Sequence, residues 1–479
     1  MTLRTNLRTV GKNVVRLDAY AKATGRALYP QDIFMDGMLY GKTLRSSKPH
    51  ARIAVDTEAA ERTPGVLKVF TYKDVLCENN HGVLLKDHEV FAGEKVIRIG
   101  EPIAFVVGET EEACREGLGK VQVDYEELPA VFDPVEAMKE GAPIVHGDTN
   151  LLYHYKLRRG NLEEGRAASR VVARNTYRSP MVDHAFIQPE AAVGYLEEDG
   201  TVVVAVATQY PHYDREEVSR NLGLPEERVK ILNTAIGGAF GGREDISPQI
   251  HVAMAAMYFN RPVKTIYDRE ESFLSHSKRH PMIMKYETGA DAEGYLTYME
   301  VEIVGDSGAH CSWAFNVLRK AGVHASGPYV IPNVKVDSYA VYTNNPFTGA
   351  MRGFGATQVP LAHEQQMDIL AEQLGISPLE IRLKNCFRLG SKTATGQLLM
   401  ESVPLPECVF EVEERFHFNE RWGMNNRVER PRSLDRAAMR RIMEGKTKDK
   451  MEGETKGETK GETLSEPFEE LAVSVAGDA

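Results

Sequence analysis

Ile236-Gly237-Gly238-Ala239-Phe240-Gly241-Gly242-Arg243-Glu244-Asp245 and Gly349-Ala350-Met351-Arg352-Gly353-Phe354-Gly355-Ala356-Thr357-Gln358 each set a phenylalanine and an ionic side chain inside a run of glycines. Such a run lets the backbone come close to a bound group and take up positive φ at little cost. Its N–H groups can then face an anion or an oxo ligand while the phenylalanine shapes an apolar pocket. One such loop reads as an ordinary turn. Two of them, built alike, read as a binding site. The flanking patterns fit: Val229-Lys230-Ile231-Leu232 reads as a strand feeding the first loop, and Pro248–Phe259 as an apolar helix leaving it. The second loop precedes Val359–Leu374, a long helix closed by Gly375. Both loops thus lie between a strand and a helix, where backbone N–H groups can be presented to a ligand.

Outward from the loops, Thr201–Ala207 is a strand candidate that runs into Thr208-Gln209, and Tyr213–Leu222 reads as a helix. Val263–Tyr267 is a further strand. Toward the N-terminus, Val66–Phe70 and Ile103–Val107 read as strands, and Thr110 opens a helix with Glu111 and Glu112 in its first turn. The pattern predicts a compact α/β domain over 14–135, a linker around Pro134–Leu157 marked by Gly141, Pro143 and Gly147-Asp148, and a second domain over 155–410. Beyond Glu413, glycine, glutamate, lysine and threonine dominate. Gly453–Thr463 is a near-repeat with no apolar residue to bury, so 424–479 is expected to be a disordered tail.

With 479 residues the chain should hold more than one core. The 58 basic and 69 acidic residues give a formal charge of −11, which argues against a nucleic-acid surface. No apolar run approaches a membrane span and no signal-like core follows Met1, so the expected location is the cytoplasm. Cys77, Cys114, Cys311, Cys386 and Cys408 are scattered, which predicts buried thiols rather than a zinc or iron–sulfur ligand set.

Taken with Ala207-Thr208-Gln209, the two loops resemble the molybdenum-cofactor subunit of the xanthine dehydrogenase and aldehyde oxidase family. Asp18–Ala27 resembles the family's entry sequence, and Leu44–Ala51, Thr63–Val66, Ile99–Ala104 and Val121–Pro129 resemble successive parts of its N-terminal α/β hammerhead domain. The resemblance runs in family order over roughly 14–410. It implies a hammerhead domain followed by the first molybdopterin-binding domain, in a mixed α+β and α/β architecture.

By that resemblance the Gln209 amide hydrogen-bonds an oxygen ligand of the molybdenum; an amide can both donate and accept there. The backbone at Phe240 reaches the metal centre, and Arg352 anchors polar groups around it. Gly237, Gly238, Gly241, Gly353 and Gly355 form the close-approach backbone. Glu244 holds the heterocycle of the substrate, and Phe354 stacks on it. Read from the residues alone, simpler roles stay open: a strand-end Gln209 satisfying loop backbone, core rings at Phe240 and Phe354, Arg352 capping carbonyls, and Glu244 as a solvated loop acid or helix cap. Lys320 is a departure, since it stands where xanthine-oxidising relatives carry an arginine. An ammonium cannot make the planar two-point contact of a guanidinium, although Arg319 lies beside it.

No catalytic residue is expected in this chain. Family members activate water with a glutamate in a second cofactor-binding domain, and nothing after Pro406 resembles it, so that base should come from a partner. The resemblance is to a large half-subunit like that of split nicotinate dehydrogenases. It implies a molybdenum–molybdopterin cofactor, in the cytosine dinucleotide form, together with a second molybdopterin-binding subunit, an iron–sulfur subunit and an FAD subunit. The substrate would be a small N-heterocycle of purine or nicotinate type. The alternative is a truncated, inactive paralogue that binds cofactor or scaffolds assembly.

Overall fold

A computed structural model describes residues 7–425 and 435–443. Its first sheet has seven strands in the order Val229–Asn233, Val202–Val206, Ala191–Leu196, Val263–Ile266, Leu39–Arg45, Pro102–Gly108 and Val66–Phe70. Val202–Val206 is an unbroken apolar run and is buried along its whole length, as a central strand covered on both faces must be. The helix Gln249–Phe259 is apolar on every side and is buried from Gln249 to Ala256. It can lie this close to the sheet because Gly194 has no side chain. A Cβ there would stand 2.4 Å from the Val252 carbonyl oxygen.

This sheet spans both of the expected regions. Leu39–Arg45 pairs in parallel with Val263–Ile266, Leu39 opposite Val263, so the N-terminal strands and the second region share one hydrogen-bonded sheet. Part of the expected linker is itself a strand. Leu151–Arg159 pairs antiparallel with Asn333–Tyr342 at the edge of a second, five-stranded sheet, which continues through Leu296–Gly308 and Met282–Ala290 to Val171–Ser179. The alternation of Leu151, Tyr153, Tyr155 and Leu157 is a strand signal that the preceding glycines and prolines hide. The helices Ala314–His324 and Pro360–Leu374 pack on this second sheet and build the largest core, with Met284, Ile303, Leu318, Val336 and Leu370 at its centre. A three-stranded sheet of Ala51–Asp56, Lys95–Val96 and Gln122–Glu127 completes the N-terminal region.

The expected disordered tail over 424–479 lies largely outside the described residues. Its described part departs from the expectation. Residues 436–443 are helical, and Met439 is fully buried against Leu383, with Val409 and Phe410 beside them. Ala438, Ile442 and Met443 pack beside Met439, so the short helix docks through its apolar residues. Three of the five cysteines, Cys114, Cys311 and Cys386, are buried as expected, whereas Cys77 and Cys408 are exposed.

Candidate active site

The two glycine loops meet. The N–H of Arg352 donates to the carbonyl of Phe240 at 2.8 Å. A Cβ on Gly241 would stand 2.6 Å from the Ala350 carbonyl oxygen, so only glycine permits this approach. Gly238 and Gly241 have φ of 105° and 106°, and Gly353 and Gly355 have 97° and 95°. Both phenylalanines share the unusual backbone: Phe240 and Phe354 each sit at φ 54°. A left-handed backbone costs an L-residue with a Cβ about 1–2 kcal/mol, and such strain concentrates at ligand sites.

The first loop is held by polar groups. The Oε1 of Gln209 accepts from the N–H of Gly241 at 2.9 Å and from that of Arg243 at 3.4 Å, while its Nε2 donates to Glu244 at 3.4 Å. The simpler role for Gln209, satisfying loop backbone, is therefore present. Its acceptor oxygen is engaged, and the amide N–H is what remains for a ligand. Beneath the loop the buried Arg243 guanidinium donates to the carbonyl of Gly238 at 2.9 Å and to that of Gln188, and lies over the Phe186 ring at 4.3 Å. Gly237 donates its N–H to the Gln188 side chain at 2.7 Å. Deeper still, His276 lies between Asp183 and Glu190 at 3.2 and 3.1 Å. Burial pulls its pKa down, but these two carboxylates hold it above the ordinary value.

The second loop has polar ties of its own, His184 Nε2 meeting the Ala350 carbonyl at 2.7 Å and the Gly349 N–H donating to the Lys278 carbonyl at 2.9 Å, and its ring is held by packing. Gly355 lies against the helix Ala314–His324, where a Cβ would meet the Val317 carbonyl oxygen. Phe354 meets Trp313 edge-on at 5.8 Å, and Trp313 meets Tyr210 at 5.7 Å. Lys320 places its ammonium 5.9 Å from the Phe354 ring. Burial raises the pKa of Tyr153 and Tyr155, and the nearby Arg319 charge opposes that rise. Arg352 is exposed, and its carbonyl accepts from Arg279 at 2.9 Å.

Glu244 is half-buried and caps no helix. Burial, reinforced by the neighbouring Asp245 charge, pushes its pKa up to about 7. Asp245 is raised to about 6 by burial although it accepts from the Ser312 hydroxyl at 2.7 Å. A carboxyl poised near neutrality can donate or accept a hydrogen bond. Gln209, Phe240, Glu244, Arg352, Phe354 and Lys320 thus form one continuous constellation. Three residues that sequence reasoning gave no role complete it: Arg243, Trp313 and Tyr210. Arg243 stands inside the first glycine loop, whereas nothing local marks Trp313.

Comparison with known proteins decides what this arrangement is. Residues 145–386 match the molybdopterin cofactor-binding domain, and residues 24–129 match the aldehyde oxidase and xanthine dehydrogenase a/b hammerhead domain. The nicotinate dehydrogenase large molybdopterin subunit of Eubacterium barkeri is 41% identical over 407 residues, which are 85% of this chain and 96% of that one. The chain belongs to the xanthine dehydrogenase and aldehyde oxidase family. A probable xanthine dehydrogenase component of Bacillus subtilis is 40% identical over 78% of this chain, but the match spans only 50% of that relative. The xanthine dehydrogenase molybdenum-binding subunit of Escherichia coli O157:H7 is likewise spanned over 56% of its length. Among solved structures, the aldehyde oxidoreductase of Desulfovibrio gigas superposes with a TM-score of 0.82 at 30% identity, over 86% of this chain and 47% of that one. Quinoline 2-oxidoreductase of Pseudomonas putida 86 gives 0.79 at 28% identity, over 86% of this chain and 55% of that one.

As a member of this family of molybdenum-containing oxidoreductases, the chain carries the hammerhead and molybdopterin-binding folds that its loops implied. The loop site fits such a cofactor chemically. It offers the Gln209 amide N–H and an exposed guanidinium as donors to oxygen, and two strained rings as apolar wall. Among the described residues no helix is long and apolar enough to cross a membrane.

Proposed function

We propose that this chain is the large molybdopterin-binding subunit of a multi-subunit molybdenum hydroxylase acting on an N-heterocycle of purine or nicotinate type. The observation that carries the reading is the junction of the two glycine loops at Phe240 and Arg352, with Gln209 and Glu244 attached to it. The reaction replaces a ring C–H by C–OH using water, with release of two protons and two electrons. Bound at the loops, a molybdenum–molybdopterin cofactor, in its cytosine dinucleotide form, supplies Lewis acidity and takes up the electron pair.

The chain's own residues do the binding. Gln209 and Arg352 offer donors toward the cofactor, and Gly237, Gly238, Gly241, Gly353 and Gly355 allow the backbone to approach it. Phe240 and Phe354 confine a planar ring between them, with Trp313 fixing the second. Glu244 grips a ring nitrogen, and Lys320 neutralises negative charge on the substrate from the Phe354 side. Partner chains supply the rest: a second molybdopterin-binding subunit with the proton-abstracting glutamate, and iron–sulfur and FAD subunits that carry electrons away. The near-complete span of the Eubacterium barkeri large subunit supports this division of labour.

Glu244→Gln in the assembled complex tests the substrate role. With purines and nicotinate as substrates, kcat/KM should fall by the equivalent of about 1–3 kcal/mol, the worth of a charged hydrogen bond. Molybdenum content should stay at the wild-type level. Unchanged kinetics on every oxidised substrate would make Glu244 a loop acid. Equal loss of metal and activity would move it into the cofactor site.

A further inference from the structure

Away from the loops, the N-terminal region meets the second sheet at a cluster of imidazoles and carboxylates. Asp87, His88 and His310 each bring one ligand atom to a common point, all within 4.8 Å of one another. His88 is 5% exposed, yet its Nε2 has no hydrogen-bond partner, and the same holds for the Oδ1 of Asp87. These two atoms stand 3.9 Å apart. Burying polar atoms without partners is costly, and a cation shared between them removes both penalties.

His310 points the same way. Its Nδ1 lies 3.0 Å from the Asp87 carbonyl oxygen and its Nε2 lies 3.0 Å from the Glu101 carboxylate. Both neighbours are acceptors, whereas a neutral imidazole has a single N–H. A protonated His310 paired with Glu101 would satisfy that ring, but would leave His88 and Asp87 unpaired. The neighbouring cations are already engaged, Lys86 by Glu217 and Arg98 by Glu101. A cavity of about 410 Å³ opens onto the cluster, bordered also by His146.

We propose that Asp87, His88 and His310 form a binding site for a divalent transition-metal ion of the zinc class. Two imidazoles and one carboxylate select Zn2+, Co2+ or Fe2+ over Mg2+ and Ca2+, which prefer all-oxygen shells. Bonds of about 2.0–2.2 Å place ligand atoms roughly 3.4 Å apart, so the His88–Asp87 pair needs only a small side-chain adjustment. The remaining His310 N–H then donates to a carboxylate or carbonyl, the usual support for a metal-bound histidine. Asp87 is already oriented, since its Oδ2 accepts from the Cys311 N–H at 2.7 Å and the Tyr342 hydroxyl at 2.8 Å. The ion would pin the turn His310–Trp313 to the N-terminal region. That turn carries both the Ser312 bound to Asp245 and the Trp313 that backs Phe354. The site is independent of molybdenum.

The test uses the full chain, freed of metal by chelator and titrated with Zn2+ by calorimetry and with Co2+ by visible absorption. One ion per chain is expected, with a cobalt spectrum of low-coordinate nitrogen and oxygen ligands. His88→Gln should weaken binding at least about tenfold. Because that variant could fail to fold, the wild type is also crystallised with Zn2+ and an anomalous map recorded at the zinc edge. A peak between Asp87, His88 and His310 is expected. Its absence there, or wild-type affinity no greater than that of His88→Gln, overturns the proposal.

Discussion

The two glycine loops solve one geometric problem by different means. Each holds a phenylalanine at φ 54° between glycines of positive φ. The first loop is tied down by N–H groups donating to Gln209 and Gln188 and by a carbonyl accepting from Arg243, and its phenylalanine is left 50% exposed. The second loop leans on a helix and its phenylalanine packs against Trp313. A strained ring can therefore be held either by the polar frame around its backbone or by the contacts of the ring itself. In the first case the side chain is left free for a ligand. In the second it is already part of a wall.

Replacing Arg243 should disturb the polar frame most forcefully. Arg243→Met leaves the Gly238 and Gln188 carbonyls without their buried donor. Denaturant unfolding should show a loss of about 3–5 kcal/mol, the range for removing a buried charge bonded to several acceptors. A loss below about 1 kcal/mol would mean that the polar frame does not hold the loop.

Paired glycine substitutions at the rings separate the two modes of support. Phe354→Gly forfeits packing against Trp313 and should cost about 2–3 kcal/mol after relief of the left-handed strain. Phe240→Gly gains the same relief and loses a half-exposed ring, so its stability should stay within about 1 kcal/mol of wild type. Equal destabilisation of the two variants, read from denaturation midpoints, would erase the distinction.

The smallest effect is on pH dependence, and it belongs to the first loop alone. Glu244 and Asp245 are raised by burial to about 7 and about 6 from ordinary values of 4.5 and 3.8. Between about pH 4 and pH 7 these two carboxyls bind more protons in the folded chain than in the unfolded one, so their contribution to stability falls as pH rises through that window. Glu244→Gln should flatten the upper part of the slope, from about 4.5 to 7. A slope unchanged by that substitution would place the titration elsewhere.

The site was legible where its signal is local. Glycines around Phe240 and Phe354 advertise a close backbone, and the charge at Glu244 and Arg352 stands beside them. What escaped detection is non-local. Trp313 reaches Phe354 only because the helix Ala314–His324 packs on the second sheet, and no periodicity reports that. The shared seven-stranded sheet depends on Leu39 pairing with Val263, a register invisible to pattern reading. Composition misled at both Leu151–Arg159 and Met439. In the first, turn residues masked a strand; in the second, the apolar residues of a short helix were averaged into a polar tail.

If the two loops form half of a cofactor cradle that a partner chain completes, molybdenum should be retained only when both halves are present. That is read most simply as molybdenum per chain, by elemental mass spectrometry, after expression in a molybdopterin-producing host. The chain would be prepared alone and together with a second molybdopterin-binding subunit. Near-stoichiometric molybdenum is expected in the complex and little in the isolated chain. Stoichiometric molybdenum in the isolated chain, or none in the complex, would show that the cradle is not divided in this way.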